Sequence, residues 1–395
     1  MRVLQIEDLT GISYIHVCRW QYDGIEQLYY SGKVKTNISE IVDNLGSFRN
    51  YVAEDWFGVD VDCGIGDYDE NEADALIGAE ILSTDRAVLS LPKSYSKYGK
   101  PTRLLIRNHG AGGVVTENSA QSHGGVIDDT ILANGYAILK VNGLPKAKQN
   151  LNYIAKGGDH FGGELFLRCI AKAYKYVVDN YNIARDGVLI WGGSMGGLAT
   201  INLINSGILP IKAAALDAPV LDFYNDAYIS DTWAQGTQKY GNAAAIAWVY
   251  NFKNCNFDNG TFTLDGSDYI SFASASVEQK KSLFELNSNR IYGYNPFNTG
   301  KFDVGDNNGI KMPCPIKIWH GKGDRTNLIV YSRQYVEMLK TGGTITGLRV
   351  VDTDTHVVGG IVTDKNGNDI SVTLNEIANV SPYWAEQLLW LKRFD

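Results

Sequence analysis

Cysteine is scarce and unpatterned in this sequence. The five residues, at 18, 63, 169, 255 and 314, are odd in number, widely spaced and without a Cys-x-x-Cys pair. That usage fits buried free thiols rather than a disulfide framework. Long apolar runs are also missing. None approaches the length of a membrane span, and the opening Met1-Arg2-Val3-Leu4-Gln5-Ile6-Glu7-Asp8-Leu9 has no signal-peptide core. The expectation is a soluble chain, cytoplasmic or virion-associated, with no membrane partner. Basic charge is in deficit, with 36 Lys and Arg against 44 Asp and Glu, a net charge of −8, and no Lys/Arg cluster. A nucleic-acid partner is therefore excluded. Internal repeats and low-complexity tracts are absent.

What is present is enough chain, 395 residues, for one large domain and an appendage. From residue 79 onward short apolar strands alternate with helical patterns. Strands are expected at 87–92, 102–108, 136–141, 187–193, 213–217, 315–320 and 348–352. Helices are expected at 125–134, 163–181, after 194, at 328–340 and at 383–392. Alternation of this kind predicts a mostly parallel sheet with helices on both faces.

Two regions break the rhythm. Residues 1–78 read as an N-terminal extension or small accessory module, with strand character at 13–20 and an amphipathic helix over 37–52. Asp60, Asp62, Asp67, Asp69, Glu70, Glu72 and Asp74 crowd its end. Hard oxygen ligands suit calcium, but the spacing departs from the EF-hand pattern, and a solvated acidic loop is favoured. Residues 221–312 form an aromatic, Asn-rich insertion between two sheet strands. An insertion there sits over the strand ends, so it is read as a cap that shapes a pocket.

The chemistry centres on Gly192-Gly193-Ser194-Met195-Gly196-Gly197. An apolar strand precedes it and a helical pattern follows, the setting in which Gly-x-Ser-x-Gly exposes a nucleophilic serine on a sharp turn. A phosphate loop is excluded because no Gly-Lys-Ser/Thr follows. Serine needs a base, and the base needs an orienting acid. Six histidines are candidates, and the chain order Ser–acid–His leaves His320 and His356. Only His356 leaves room for an acid at a preceding strand end, which makes Asp324 the acid. Asp352 and Asp354 are competitors, but they sit too close to His356 along an extended segment. An oxyanion hole needs two backbone N–H groups. Met195 supplies one. His109-Gly110-Ala111-Gly112-Gly113, following a strand, supplies the other, from Ala111 with Gly110 and Gly112 as neighbours in register.

These residues resemble the α/β-hydrolase superfamily over roughly residues 80–395. The stretches His109-Gly-Ala-Gly-Gly, Gly192-Gly-Ser-Met-Gly-Gly and His320-Gly-Lys-Gly-Asp324 are similar to its esterase, polyhydroxyalkanoate-depolymerase and prolyl-oligopeptidase-like branches. The resemblance implies an eight-stranded, mostly parallel sheet and acyl transfer through a serine ester, with no cofactor and no metal. It carries Ser194 over as nucleophile, Asp324 as acid and His356 as base. Two departures stand out. The short leading segment cannot build the propeller of a prolyl oligopeptidase, which favours ester hydrolysis over peptidase or amidase activity. Lys140-Val141-Asn142-Gly143 stands where many relatives carry an Asp-Tyr-Arg-Gly-like stretch. The Tyr-, Asn- and Gly-rich composition suits a small-molecule or polysaccharide ester substrate, with virion or cell-surface assembly through residues 1–78. A non-catalytic binding module on the same fold is the further alternative.

Overall fold

The computed structural model describes residues 84–113, 126–144, 159–224, 240–291, 309–374 and 377–395. It also describes the short strands Leu4–Ile6, Ile15–Val17, Ala53–Asp60 and Asp303–Gly305, and residues 115, 229, 294, 296 and 297. The expected helix over 37–52 and, Asp60 apart, the acidic cluster lie outside the described residues.

An eight-stranded sheet runs through the centre. Its strands in chain order are β1 Ala53–Asp60, β2 Thr84–Leu91, β3 Leu104–Asn108, β4 Ala137–Val141, β5 Val188–Gly193, β6 Ile211–Asp217, β7 Ile316–Gly321 and β8 Thr346–Val351. Across the sheet they lie in the order β8-β7-β6-β5-β3-β4-β2-β1. The sheet is mixed rather than uniformly parallel. From β4 to β8 every neighbouring pair is parallel, whereas β2 runs antiparallel to both β4 and β1. The parallel pairings need crossover helices, and the sequence supplies them between these strands. β2 pairs antiparallel with β1 over eight residues, from Ala53 opposite Leu91 to Asp60 opposite Thr84. β1 lies on the extension side of residue 78, so the sheet reaches across the boundary expected there.

Alternation along each strand divides the core between two faces. Val188 and Ile190 pack with α2 (Glu164–Asn180) and α3 (Met195–Ser206). Leu189 and Trp191 point the other way, with α1 (Val126–Ala133) and α7 (Pro382–Leu391). α2 buries Phe166, Leu167, Ile170, Ala173 and Val177, the helical repeat legible in its sequence. α6 (Ile329–Thr341) buries Tyr335, Val336 and Leu339 against Ile316 and Ile318 of β7. Each fully buried aliphatic side chain of this kind contributes about 1.5–3 kcal/mol. α7 starts where Ser381 accepts the Trp384 N–H and Pro382 occupies the first turn.

The described part of 221–312 contains α4 (Gly241–Val249), a three-stranded antiparallel sheet over 255–271, and α5 (Val277–Leu286), which opens on a Ser276/Gln279 capping box. Its aromatic residues form a core of their own. Phe252, Phe257, Phe262, Phe272 and Phe284 pack together, and Met195 and Leu198 at the start of α3 belong to the same cluster. The insertion therefore rests on the helix that follows Ser194. Among the described residues, no helix is long and apolar enough to cross a membrane. Cys169, Cys255 and Cys314 are free thiols, and Cys18 and Cys63 lie outside the described residues.

Candidate active site

Ser194 sits between β5 and α3 with φ 53° and ψ −121°. Positive φ is unusual for a residue with a Cβ and costs on the order of 1–3 kcal/mol. The turn is held in place by its surroundings. Ser194 N–H donates to Asp217 O at 2.9 Å, and Ser194 O accepts from Val220 N–H at 3.1 Å. Close approach makes the flanking glycines necessary. A Cβ on Gly192 would lie 2.2 Å from Gly196 O, and one on Gly196 would lie 2.3 Å from Asn108 O. Both obstacles are backbone. Gly196→Ala will therefore destabilise the fold by about 1–3 kcal/mol, read as a lower urea midpoint at unchanged slope.

His356 and Asp324 reach this serine from two different loops. His356 follows β8, and its Nε2 lies 2.8 Å from Ser194 Oγ. Its Nδ1 lies 2.7 Å from Asp324 Oδ2. Asp324 follows β7 and is buried. With Nδ1–H donating to the carboxylate, Nε2 is left as an acceptor aimed at the serine hydroxyl. Neither competing acid takes part in this row. Asp352 lies 3.9 Å from Lys322 Nζ, and Asp354 packs against Gly323.

His320, the other histidine compatible with the chain order, lies on the far side of Asp324. Its Nε2 is 3.1 Å from Asp324 Oδ2 and 2.7 Å from Asn327 O, while Ser332 Oγ lies 2.7 Å from its Nδ1. Two acceptors at Nε2 make that nitrogen a donor, while the Ser332 hydroxyl partners Nδ1. Thr326 and Asn327 N–H groups donate to Asp324 Oδ1 at 2.8 and 3.2 Å. Burial alone pushes the Asp324 carboxyl up. The hydrogen bonds from His320 and His356 and the Thr326 N–H outweigh it and hold the group below its ordinary value. An Asp held low stabilises the fold above its unfolded value of about 3.9 and loses that contribution as pH falls through the lower folded value. In His320→Leu the burial effect is less opposed, so Asp324 protonates at higher pH. The gap between its unfolded and folded values narrows, so the variant will be less stable at pH 7 and, relative to that, will lose less stability on acidification to about pH 3, read from urea midpoints at the two pH values.

The loop carrying His356 is clamped from below by a group not singled out in the sequence. Asp217 ends β6 and accepts the N–H groups of Val358 at 2.9 Å and Gly359 at 2.7 Å. Gln387 of α7 donates to the same carboxylate at 2.8 Å and accepts from Trp191 Nε1–H. Burial raises Asp217 above the ordinary carboxylate range, against those hydrogen bonds. A lone Asp closing the apolar run Ala213-Ala214-Ala215-Leu216 at a strand's C-terminal end was the available signal.

The four backbone positions expected to bind an oxyanion are near Ser194, but they are not equivalent. Met195 N–H opens α3 and has no acceptor within the helix. Gly110 lies against the nucleophile, close enough that a Cβ would touch Ser194 Cβ at 3.6 Å. Residues 110–113 form a turn closed by Gly113 N–H to Gly110 O at 3.0 Å, with Gly112 at φ 75°. Gly112 N–H donates to the buried Asp159 carboxylate at 2.5 Å and is not available to a substrate. That removes Gly112 from the expected set. Ala111, between them, takes no part in the turn's hydrogen bond. Of the remaining histidines, His109 and His160 pack edge to face at 5.0 Å. Burial, then the neighbouring His109, drives His160 well below its ordinary value. His16 lies on a hairpin strand paired with Leu4–Ile6, and His123 lies outside the described residues.

Residues 130–259 match the prolyl oligopeptidase family. A Schizosaccharomyces pombe protein described as a dipeptidyl aminopeptidase is 29% identical over 140 residues, 34% of this chain and 16% of that protein. Among solved structures, a Bacteroides ovatus chain described as a dipeptidyl aminopeptidase IV superposes with a TM-score of 0.52 at 10% identity, covering 87% of this chain and 36% of that one. An acylaminoacyl peptidase from Pyrococcus horikoshii has a TM-score of 0.47 at 12% identity, with coverage of 85% and 41%. The chain thus spans well under half the length of each of these proteins. The sheet and the elbow give the chain an α/β-hydrolase fold, and the segment that carries the elbow is similar to the prolyl oligopeptidase family.

Proposed function

We propose that the chain is a serine hydrolase of peptidase type, which transfers the acyl group of an amide or an activated ester to water through Ser194. The observation that carries this reading is the unbroken row Ser194 Oγ–His356–Asp324, with links of 2.8 and 2.7 Å. In this mechanism Ser194 Oγ attacks the carbonyl carbon as His356 Nε2 takes its proton. Asp324 holds the ring by its Nδ1–H and stabilises the imidazolium. Met195 and Ala111 N–H groups bind the developing oxyanion, where preformed donors are most effective. The imidazolium then protonates the leaving group, and water repeats the sequence on the acyl-serine.

The peptidase reading is supported by the match over 130–259 and by the names of the relatives. A polysaccharide ester and a virion partner rest on composition alone. A panel of peptidyl and aminoacyl p-nitroanilides against p-nitrophenyl esters of the same acids tests the assignment. Turnover of both classes is expected. Turnover of esters alone, with no anilide cleaved at any length, overturns the peptidase reading and leaves an esterase.

A further inference from the structure

Next to Ser194, on the α1/α7 face of the sheet, lies a cavity of about 290 Å³. Gly110 and Gly193 form its side toward the nucleophile, and Val357, the neighbour of His356, forms part of its wall. Its other lining includes Trp191, Arg107 and Lys140. Three neighbouring strands place these last three at their C-terminal ends. Arg107 and Trp191 are partners in the register of β3 and β5, and Lys140 is the penultimate residue of β4. Each continues the strand face that carries Leu105, Ile138 and Leu189 in the apolar core. A face that is leucine and isoleucine one step earlier turns cationic where it meets the cavity.

Packing does not account for two cations here, since apolar residues of similar volume are usually as stable as a buried ion cluster or more so. Both cations bind one carboxylate. Asp128 of α1 lies 2.7 Å from Arg107 Nη1 and 2.5 Å from Lys140 Nζ. Arg107 also lies over the Trp191 ring, 5.4 Å from its centroid. Asp128 occupies only one side of the guanidinium. Arg107 Nε–H is buried and has no acceptor among the described residues. A buried charged donor left without a partner calls for an explanation, and a ligand acceptor entering the cavity supplies one.

We infer that this cavity is a carboxylate-binding subsite, so that the preferred substrate carries an acidic group several bonds from the scissile carbonyl. The inference rests on the serine-hydrolase reading of Ser194 and adds a substrate class to it. Trp191 and Val357 line the path with apolar surface, and Arg107 receives the carboxylate in the planar, forked geometry that a guanidinium offers. The volume lies at the small end of ligand sites, about 300 Å³ upward, which suits a side group and not a polymer. The acid can belong to the acyl portion or to the leaving group. The chemistry at Arg107 is the same in both.

Isosteric ester pairs test this. For the acyl side, p-nitrophenyl hydrogen adipate is compared with its carboxamide, p-nitrophenyl adipamate. For the leaving-group side, 4-acetoxybenzoate is compared with 4-acetoxybenzamide. The wild-type protein is expected to favour the carboxylate in one pair by about 10- to 100-fold in kcat/KM, the range of a hydrogen bond to a charged group. Arg107→Gln should bring that ratio to within about threefold. Because the ratio is taken on one protein, a general loss of activity cancels, and Asp128 keeps Lys140 as a partner. Wild-type ratios near one in both pairs overturn the subsite. A separate arm does not need catalysis: calorimetry on Ser194→Ala protein with adipate and adipamide. Tighter binding of adipate there supports the subsite even if no ester is turned over, the result that would count against the serine-hydrolase reading. Equal affinities in that arm overturn it.

Discussion

Ser194→Ala is expected to lower turnover by about 10⁴-fold or more, the scale seen when a triad serine is removed, while leaving the fold in place. In the proposed mechanism Oγ, 2.8 Å from His356 Nε2, forms the covalent bond. What remains is the pair of N–H donors and substrate binding, which on their own still accelerate hydrolysis over water by about 10³–10⁴. The stability effect is small for local reasons. The turn is held by backbone hydrogen bonds from Ser194 N–H to Asp217 and from Val220 N–H to Ser194 O. Alanine keeps both and tolerates φ 53° about as well as serine does. The side chain loses only its contact with His356 Nε2, which is partly open to solvent. The checks are p-nitrophenyl acetate hydrolysis, covalent labelling by a fluorophosphonate probe, and thermal unfolding. Labelling at Ser194 in the parent protein, lost in the variant with little change in Tm, is the expected pattern. Undiminished turnover in the variant would place the nucleophile elsewhere.

The sequence is most legible where chemistry demands a fixed local geometry. A Cβ at Gly192 or Gly196 would meet a backbone oxygen at 2.2 or 2.3 Å, so the elbow could not be built from other residues and announces itself. Ser194, Asp324 and His356 follow from chain order, and the strands carrying them follow from apolar runs broken at loop-forming residues. What escaped is what depends on contacts between distant segments. His320 was weighed as a base because a histidine beside a strand end looks the same whichever side of the acid it occupies. Only the fold puts Ser332, 12 residues on, against its Nδ1. Asp217 clamps a loop 141 and 142 residues away. Gly112 read as an oxyanion donor because a glycine-rich loop does not reveal which N–H is already taken, and the taker, Asp159, is 47 residues downstream. The antiparallel β2 escaped for a related reason. Strand character is local, but direction follows from what connects the strands.

Asp324→Asn tests the half of the site that no single motif specifies, and it is expected to lower kcat by about 10³–10⁴-fold, with a loss of stability as well. The argument lies in the donors around the carboxylate. Oδ2 receives the rings of His356 at 2.7 Å and His320 at 3.1 Å, and Oδ1 receives the Thr326 and Asn327 N–H groups. All four partners are donors, and a carboxylate offers acceptors on both oxygens. An amide cannot. If its oxygen takes the Oδ2 position, its NH₂ faces two backbone N–H groups in a buried site, a mismatch costing about 1–3 kcal/mol. If the amide turns over, its NH₂ faces His356 and favours the tautomer with the proton on Nε2, which can no longer accept from Ser194. His320 sharpens the expectation, because its Nε2–H competes for the same oxygen and opposes the flip to NH₂. The orientation that keeps His356 in its working tautomer is thus the one that strains the Thr326–Asn327 turn. Steady-state kinetics and urea unfolding on the same protein separate the two effects. A variant that keeps full kcat would show that His356 is oriented by some other group, and one that loses kcat with no loss of stability would mean that the 326–327 turn adjusts freely around the amide.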